Sequence, residues 1–222
     1  MREESFFRSL QPWRRRLQSA AGAAILALAY YAAARVGLML QLPGTNASPF
    51  WPPAGVALAA MLLFGVQLWP GISVGAFFAN FVTLPPATGL IASLGIAVGN
   101  TLEQVAAGLW MRRIVGNQTA FHHARDVLGL AAAAFVSCAI ASSIGVTSLW
   151  FTGIVASRIY KTVWFTWWTG DAAGMLVLTP VFYCWLREPR WRYGKERLVE
   201  FFALLVATAV IAELLFGGWI KS

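Results

Sequence analysis

Apolar positions along this chain gather into long runs separated by short polar segments. Seven runs stand out, at residues 18–42, 51–66, 68–84, 88–111, 127–151, 162–186 and 198–219. Runs of about 20 apolar residues with few charges are the mark of helices that cross a bilayer. The pattern predicts an all-α protein, a multi-pass transmembrane helix bundle of about seven spans. The second and third runs are short for a bilayer. They are expected to tilt little or to pack inside the bundle.

Helix breakers punctuate the runs. Pro52 and Pro53 fall in the first turn of the second helix, where a missing N–H costs nothing, and Ser48 stands just before them as a candidate cap. Trp69–Pro70 opens the third helix, and Pro85–Pro86 closes it. Pro180 falls inside the sixth and is expected to kink it.

Charge sets the expected orientation. Arg2, Arg8, Arg14, Arg15 and Arg16 precede the first run. Arg112, Arg113 and Arg125 lie between the fourth and fifth, and Arg187, Arg190, Arg192, Lys195 and Arg197 between the sixth and seventh. The opposite connecting loops hold only Arg158 and Lys161. Basic loops stay on the cytoplasmic side, so the N-terminus is expected there. Residues 1–17 then form a basic cytoplasmic segment and residues 18–222 the transmembrane domain, with Ser222 outside.

Composition agrees with this class. The 222 residues are 59% hydrophobic and only 12% charged, against about a quarter charged in a soluble domain. The net charge of +8 would suggest nucleic acid in a soluble protein. Here the basic residues cluster at the ends of apolar runs, where membrane topology and anionic headgroups explain them. Nucleic acid is therefore not an expected partner. Cys138 and Cys184 both lie inside apolar runs and read as small buried hydrophobes. They form neither a disulfide framework nor a zinc site. Residues 1–18 are mostly polar, unlike a cleavable signal.

Ionisable residues inside apolar runs are expensive and mark function by default. Arg35, Glu103, Asp171 and Glu213 are such residues, with Asn80 and Asn100 as neutral companions. Counting helix rise at ~1.5 Å per residue places Arg35, Asp171 and Glu213 in the outer half and Glu103 deeper, toward the inner leaflet. Asn100 and Glu103 are three apart and share a helix face. Three acids against one base leave carboxylates in need of a proton, of Arg158 or Lys161, or of a ligand.

Glycines four apart mark where helix backbones approach: Gly71 and Gly75, Gly95 and Gly99, Gly170 and Gly174. The last pair flanks Asp171, which turns that acid toward the bundle interior. Asp171 and Glu103 can serve there as structural hydrogen-bond partners or as ligand groups. Asn80 reads as structural, and Trp51 and Trp69 as interfacial anchors. Trp167 and Trp168 lie a turn from Asp171, and their faces suit a cation or a flat ligand. His122 and His123 fall beside Arg125 and Asp126 in a solvated loop. No enzyme template is present, no metal site or cofactor is indicated, and the chain reads as a non-enzyme.

Four segments carry a family resemblance: SPFWPPAGVALAAMLLFG (48–65), WPGISVGAFFANF (69–81), LGIAVGNTLEQ (94–104) and WWTGDAAGMLVLTP (167–180). In this order they resemble the membrane-associated sensor domain of the first type, MASE. The resemblance implies a multi-pass sensory domain of the bacterial inner membrane, placed before a cytoplasmic histidine kinase, diguanylate cyclase or phosphodiesterase. Such domains have about eight helices, so the chain is expected to be either a complete seven-span protein or a piece of a longer one, with an eighth helix and an output module beyond Ser222. The expected function is ligand sensing. A small ligand would bind among the third, fourth and sixth helices through Asn100, Glu103, Trp167, Trp168 and Asp171, with Arg35 as counter-ion. The expected partners are the bilayer, that ligand and the output module; a homodimer stays open. The alternative is a small transporter or channel, which the same intramembrane acids and short helices would serve.

Overall fold

The structure, a computed structural model, describes residues 2–115, 121 and 123–187, with side chains from residue 19 onward. Six α-helices fill them: α1 (Arg2–Leu38), α2 (Pro52–Phe64), α3 (Trp69–Phe81), α4 (Pro86–Val115), α5 (Ala124–Phe151) and α6 (Tyr160–Arg187). Single 3₁₀ turns lead into α3 and α6, and the described residues contain no strand. The seventh run, and Glu213 with it, lies outside the described residues.

Most helix limits follow from local chemistry. Pro52 opens α2, Pro70 sits in the first turn of α3, and Pro86 opens α4. The pair Pro85–Pro86 thus starts a helix; it does not close the third, which ends at Phe81, where Asn80 and Phe78 carbonyls cap it. Ser48 is not the cap of α2. That role falls to Trp51, without a side-chain bond, while the Ser48 hydroxyl donates to the Phe50 carbonyl at 2.8 Å and closes a local turn. Helix α1 extends back to Arg2 through the basic segment and stops at Leu38, four residues short of the expected limit. The following loop needs left-handed backbone at Gly44 (φ +75°) and Asn46 (φ +54°), which a helix cannot accommodate. At α5, Asp126 is buried and accepts the His123 N–H at 3.4 Å. That segment is therefore a helix start and not a fully solvated loop; His122 lies outside the described residues.

The helices close into a ring. Each packs on its neighbours in the order α1, α3, α4, α5, α6, α2 and back to α1, and α2 also reaches α4 across the interior. Helices α2 and α3 have 13 residues each, or about 20 Å, well under a ~30 Å hydrocarbon core. Among the described residues three segments are long and apolar enough to cross a bilayer: Ser19–Leu38, Pro86–Ile114 and Ala124–Phe151. The outside is apolar, with Leu28, Phe64, Val136, Phe151 and Trp185 exposed. A continuous surface of that kind suits lipid and not water. Cys138 is buried against Met175, but Cys184 stands on the exposed face of α6.

Glycines set the spacing of the ring. A side chain at Gly71 would meet the Ala23 carbonyl, and one at Gly75 the Tyr30 side chain, so α3 rides directly on α1. Gly95 and Gly99 bring α4 against Ser148, Ile144 and Ala141 of α5. Gly170 and Gly174 of α6 abut the backbone carbonyls of Ser48 and Trp51, and Gly55 of α2 abuts the Gly174 carbonyl. The Trp51 N–H donates to the Gly170 carbonyl at 3.0 Å. The strand of chain leading into α2 is thereby seated backbone on backbone against α6.

Gly174→Ala is expected to destabilise the domain by about 1–3 kcal/mol, because the new methyl has only the Trp51 carbonyl to displace. Gly108→Ala is the control. Its methyl would lie 3.4 Å from Met61 Sδ, an ordinary contact, so alanine's helix propensity leaves it neutral or stabilising by up to about 1 kcal/mol. Thermal unfolding in nanodiscs measures both; equal losses would remove the seating argument.

Candidate functional site

The interior of the ring is polar at one level. From α1, the Tyr30 hydroxyl donates to Asn100 Oδ1 of α4 at 3.0 Å and accepts the Trp51 indole N–H at 3.4 Å. Asn100 Nδ2 returns a bond to the Ile96 carbonyl of its own helix at 2.9 Å, which fixes the amide. Tyr30 and Asn100 are essentially inaccessible. One turn further along α4, Glu103 and Gln104 are also buried, and Gln104 Nε2 donates to Glu103 Oε1 at 2.9 Å.

Glu103 meets Asp171 of α6 directly, with the Cys138 thiol of α5 beside it. Both acids are 0% exposed. No donor completes a hydrogen bond to either oxygen of Asp171, to Glu103 Oε2 or to Gln104 Oε1. Among the described residues neither acid has a Lys, Arg or His partner; the ion pairs join Asp126 to His123 and Arg125. Asp171 also borders a narrow crevice of about 140 Å³, open mouth included, lined by Asn46, Ser48, Trp51, Trp167 and Asp171. The crevice is too tight to seat a water molecule. It lies beneath the loop joining α1 to α2. Asn46 pins that loop to the end of α3, donating to Asn80 Oδ1 at 2.9 Å and Thr83 Oγ1 at 2.7 Å.

A family model for MASE1 matches residues 22–220. The chain belongs to the MASE1 family. This is a family of membrane sensory domains, as the four motifs implied. No curated protein and no solved structure matches the chain.

In this MASE1 domain the expected site residues divide. Asn100, Glu103, Trp167 and Asp171 come together inside the ring, and Trp167 packs over Gly145 of α5. Trp168 points elsewhere: it is half-buried, donates to the Phe135 carbonyl at 2.9 Å and stacks with Trp164 at a centroid distance of 6.1 Å. Arg35 is exposed on α1 and forms no ion pair with Asp171 or Glu103. Two corrections concern depth and anchoring. Helix rise separated Glu103 from Asp171, yet they touch. Trp51 is not an interfacial anchor; only 4% of it is exposed, and its N–H serves Tyr30. Trp69, 48% exposed, keeps an outward position.

The residues that sequence reasoning missed are Tyr30, Gln104 and Asn46. Tyr30 and Gln104 carry no charge, and a lone tyrosine or glutamine in an apolar run gives no sign of its partner. Asn46 had a usable signal, since an Asn two residues after a Gly suggests left-handed backbone.

Apposed carboxylates in a dry interior repel, and each unpaired buried charge costs several kcal/mol. Such a pair is eased by a proton or by a nearby positive charge. The neutral network around it holds the geometry. Tyr30→Phe removes one donor and one acceptor and is expected to cost about 1 kcal/mol of stability. Thr169→Val is the control, since that hydroxyl bonds only carbonyls of its own helix on an exposed face; it should stay within about 0.5 kcal/mol. Unfolding midpoints that coincide would count against a Tyr30–Asn100–Trp51 network.

Proposed function

We propose that this domain is the sensory input module of a bacterial inner-membrane signalling protein. It binds a small ligand from the outer side and passes a change in helix packing to a cytoplasmic output module, a histidine kinase or a cyclic-di-GMP enzyme. The observation that carries the reading is the sealed Glu103–Asp171 pair, acids kept inside a membrane sensory domain with unanswered hydrogen-bonding capacity. The distribution of basic residues supports a cytoplasmic N-terminus and seven spans, α1–α6 plus residues 198–219. In that topology the α1–α2 loop faces outward, and the crevice beneath it leads to Asp171.

Signalling needs two packings of one ring. A ligand that favours one of them by about 1.4 kcal/mol changes the ratio tenfold. The backbone seat of α2 on α6 supplies a contact that either fits or does not, since a glycine face has no side chain to adjust.

Asp171→Asn, in the chain joined to its output module, is expected to insert normally. Its cyclic-di-GMP or autophosphorylation level should stay fixed across growth conditions that move the wild type. An output that still follows those conditions would overturn the reading. Solute flux into proteoliposomes made from this chain alone would favour the transporter alternative, whose intramembrane acids and short helices are the same.

A further inference from the structure

The interior acids also define what kind of ligand they accept, and this inference rests on the sensory site just described. At the acid pair four buried oxygens lack a partner: Asp171 Oδ1 and Oδ2, Glu103 Oε2 and Gln104 Oε1. Two belong to one fully enclosed carboxylate, one to the carboxylate against it, and one to an amide bonded to that second carboxylate. All are acceptors, which together ask for a cation or a donor. The facing groups supply no cation; the donors nearest the acids are the Cys138 thiol beside Glu103 and the Trp167 indole beside Asp171. Helix α1 presents Tyr30 and α5 presents Cys138; α2 and α3 contain no titratable side chain. Arg35 is turned outward.

Size and ligand count narrow the class. The crevice at Asp171 admits no water, so an organic cation would have to open it, whereas a bare ion or a proton would not. Zinc and its neighbours bind through three or four His, Cys or carboxylate ligands, and no group of three such residues that could hold a metal ion occurs among the described residues. Calcium and magnesium commonly keep water in their coordination shells, and the space at Asp171 admits none. We propose that the Glu103–Asp171 pair, with Gln104, binds a small monovalent cation, a sodium ion or a proton, between α4 and α6. Occupancy offsets the mutual repulsion of the two carboxylates, so the cation stabilises this packing of the ring.

The test uses the full chain in lipid nanodiscs, followed by thermal unfolding and by tryptophan fluorescence, since Trp51 and Trp167 line the crevice. In one arm NaCl replaces choline chloride at constant ionic strength. In the other, pH is varied in sodium-free buffer, and His123→Gln is run alongside as a control for that exposed imidazole. A saturable rise in unfolding temperature with sodium, lost in Glu103→Gln and in Asp171→Asn, supports a sodium site. A rise on acidification without a sodium effect, kept in His123→Gln and lost in the two acid variants, supports a proton site. Flat wild-type curves in both arms overturn the proposal whether or not the variants fold. A response that persists in both acid variants overturns it as well. Flat curves alongside an output that Asp171→Asn silences would remove the cation and leave the sensory reading. An Asp171→Asn output that behaves as wild type would remove that reading whatever the titrations give.

Discussion

Two carboxyl groups held against each other in a space closed to water are the constraint around which this domain is organised. Left to themselves, Glu103 and Asp171 would separate or draw in solvent, because unpaired buried charge is among the costliest features a fold can carry. Both outcomes are blocked by packing. On one side α4 is drawn onto α5 at Gly95 and Gly99; on the other α6 is drawn onto the chain leading into α2 at Gly170 and Gly174. The acids occur where these two close approaches converge, and Trp167 covers them from within the same helix as Asp171.

Around that centre the polar groups are settled in two ways. Tyr30, Trp51 and Asn100 satisfy one another across three elements, as buried neutral groups in close-packed structures generally do. The Asn46–Asn80–Thr83 cluster does the same for the loop above. A few other buried polar atoms also lack a hydrogen-bond partner, on Gln41, Ser93, Gln104, Asp126 and Ser137, but Asp171 is the residue with both carboxylate oxygens among them.

The helical architecture was legible because long apolar runs and prolines speak about local structure, which the chain determines within a few residues. Pro52 set the start of α2 to the residue, whereas Pro86, read as the close of the third helix, opens α4. The acids were legible as candidates because charge in an apolar run is conspicuous wherever it ends up. Partnership was not legible. Whether Glu103 meets Asp171 depends on how two helices slide along each other, and the apolar runs carry no information about relative height. Arg35 looked like a counter-ion for the same reason: charge is read along the chain, while direction around a helix axis depends on its neighbours. Trp51 illustrates the converse. Its position at the head of an apolar run suggested an anchor at the headgroups, but the glycine face of α6 draws that run inward until the indole is buried.

The seating of residues 48–51 on α6 has a mechanical meaning. Most contacts between neighbouring segments pass through side chains, which swing between rotamers and soak up small movements. Here carbonyl meets glycine and amide meets carbonyl, so there is no slack in the joint. A displacement of the loop therefore bears on the axis of α6 itself, at Gly170 and Gly174, in a helix that continues through Pro180 to Arg187.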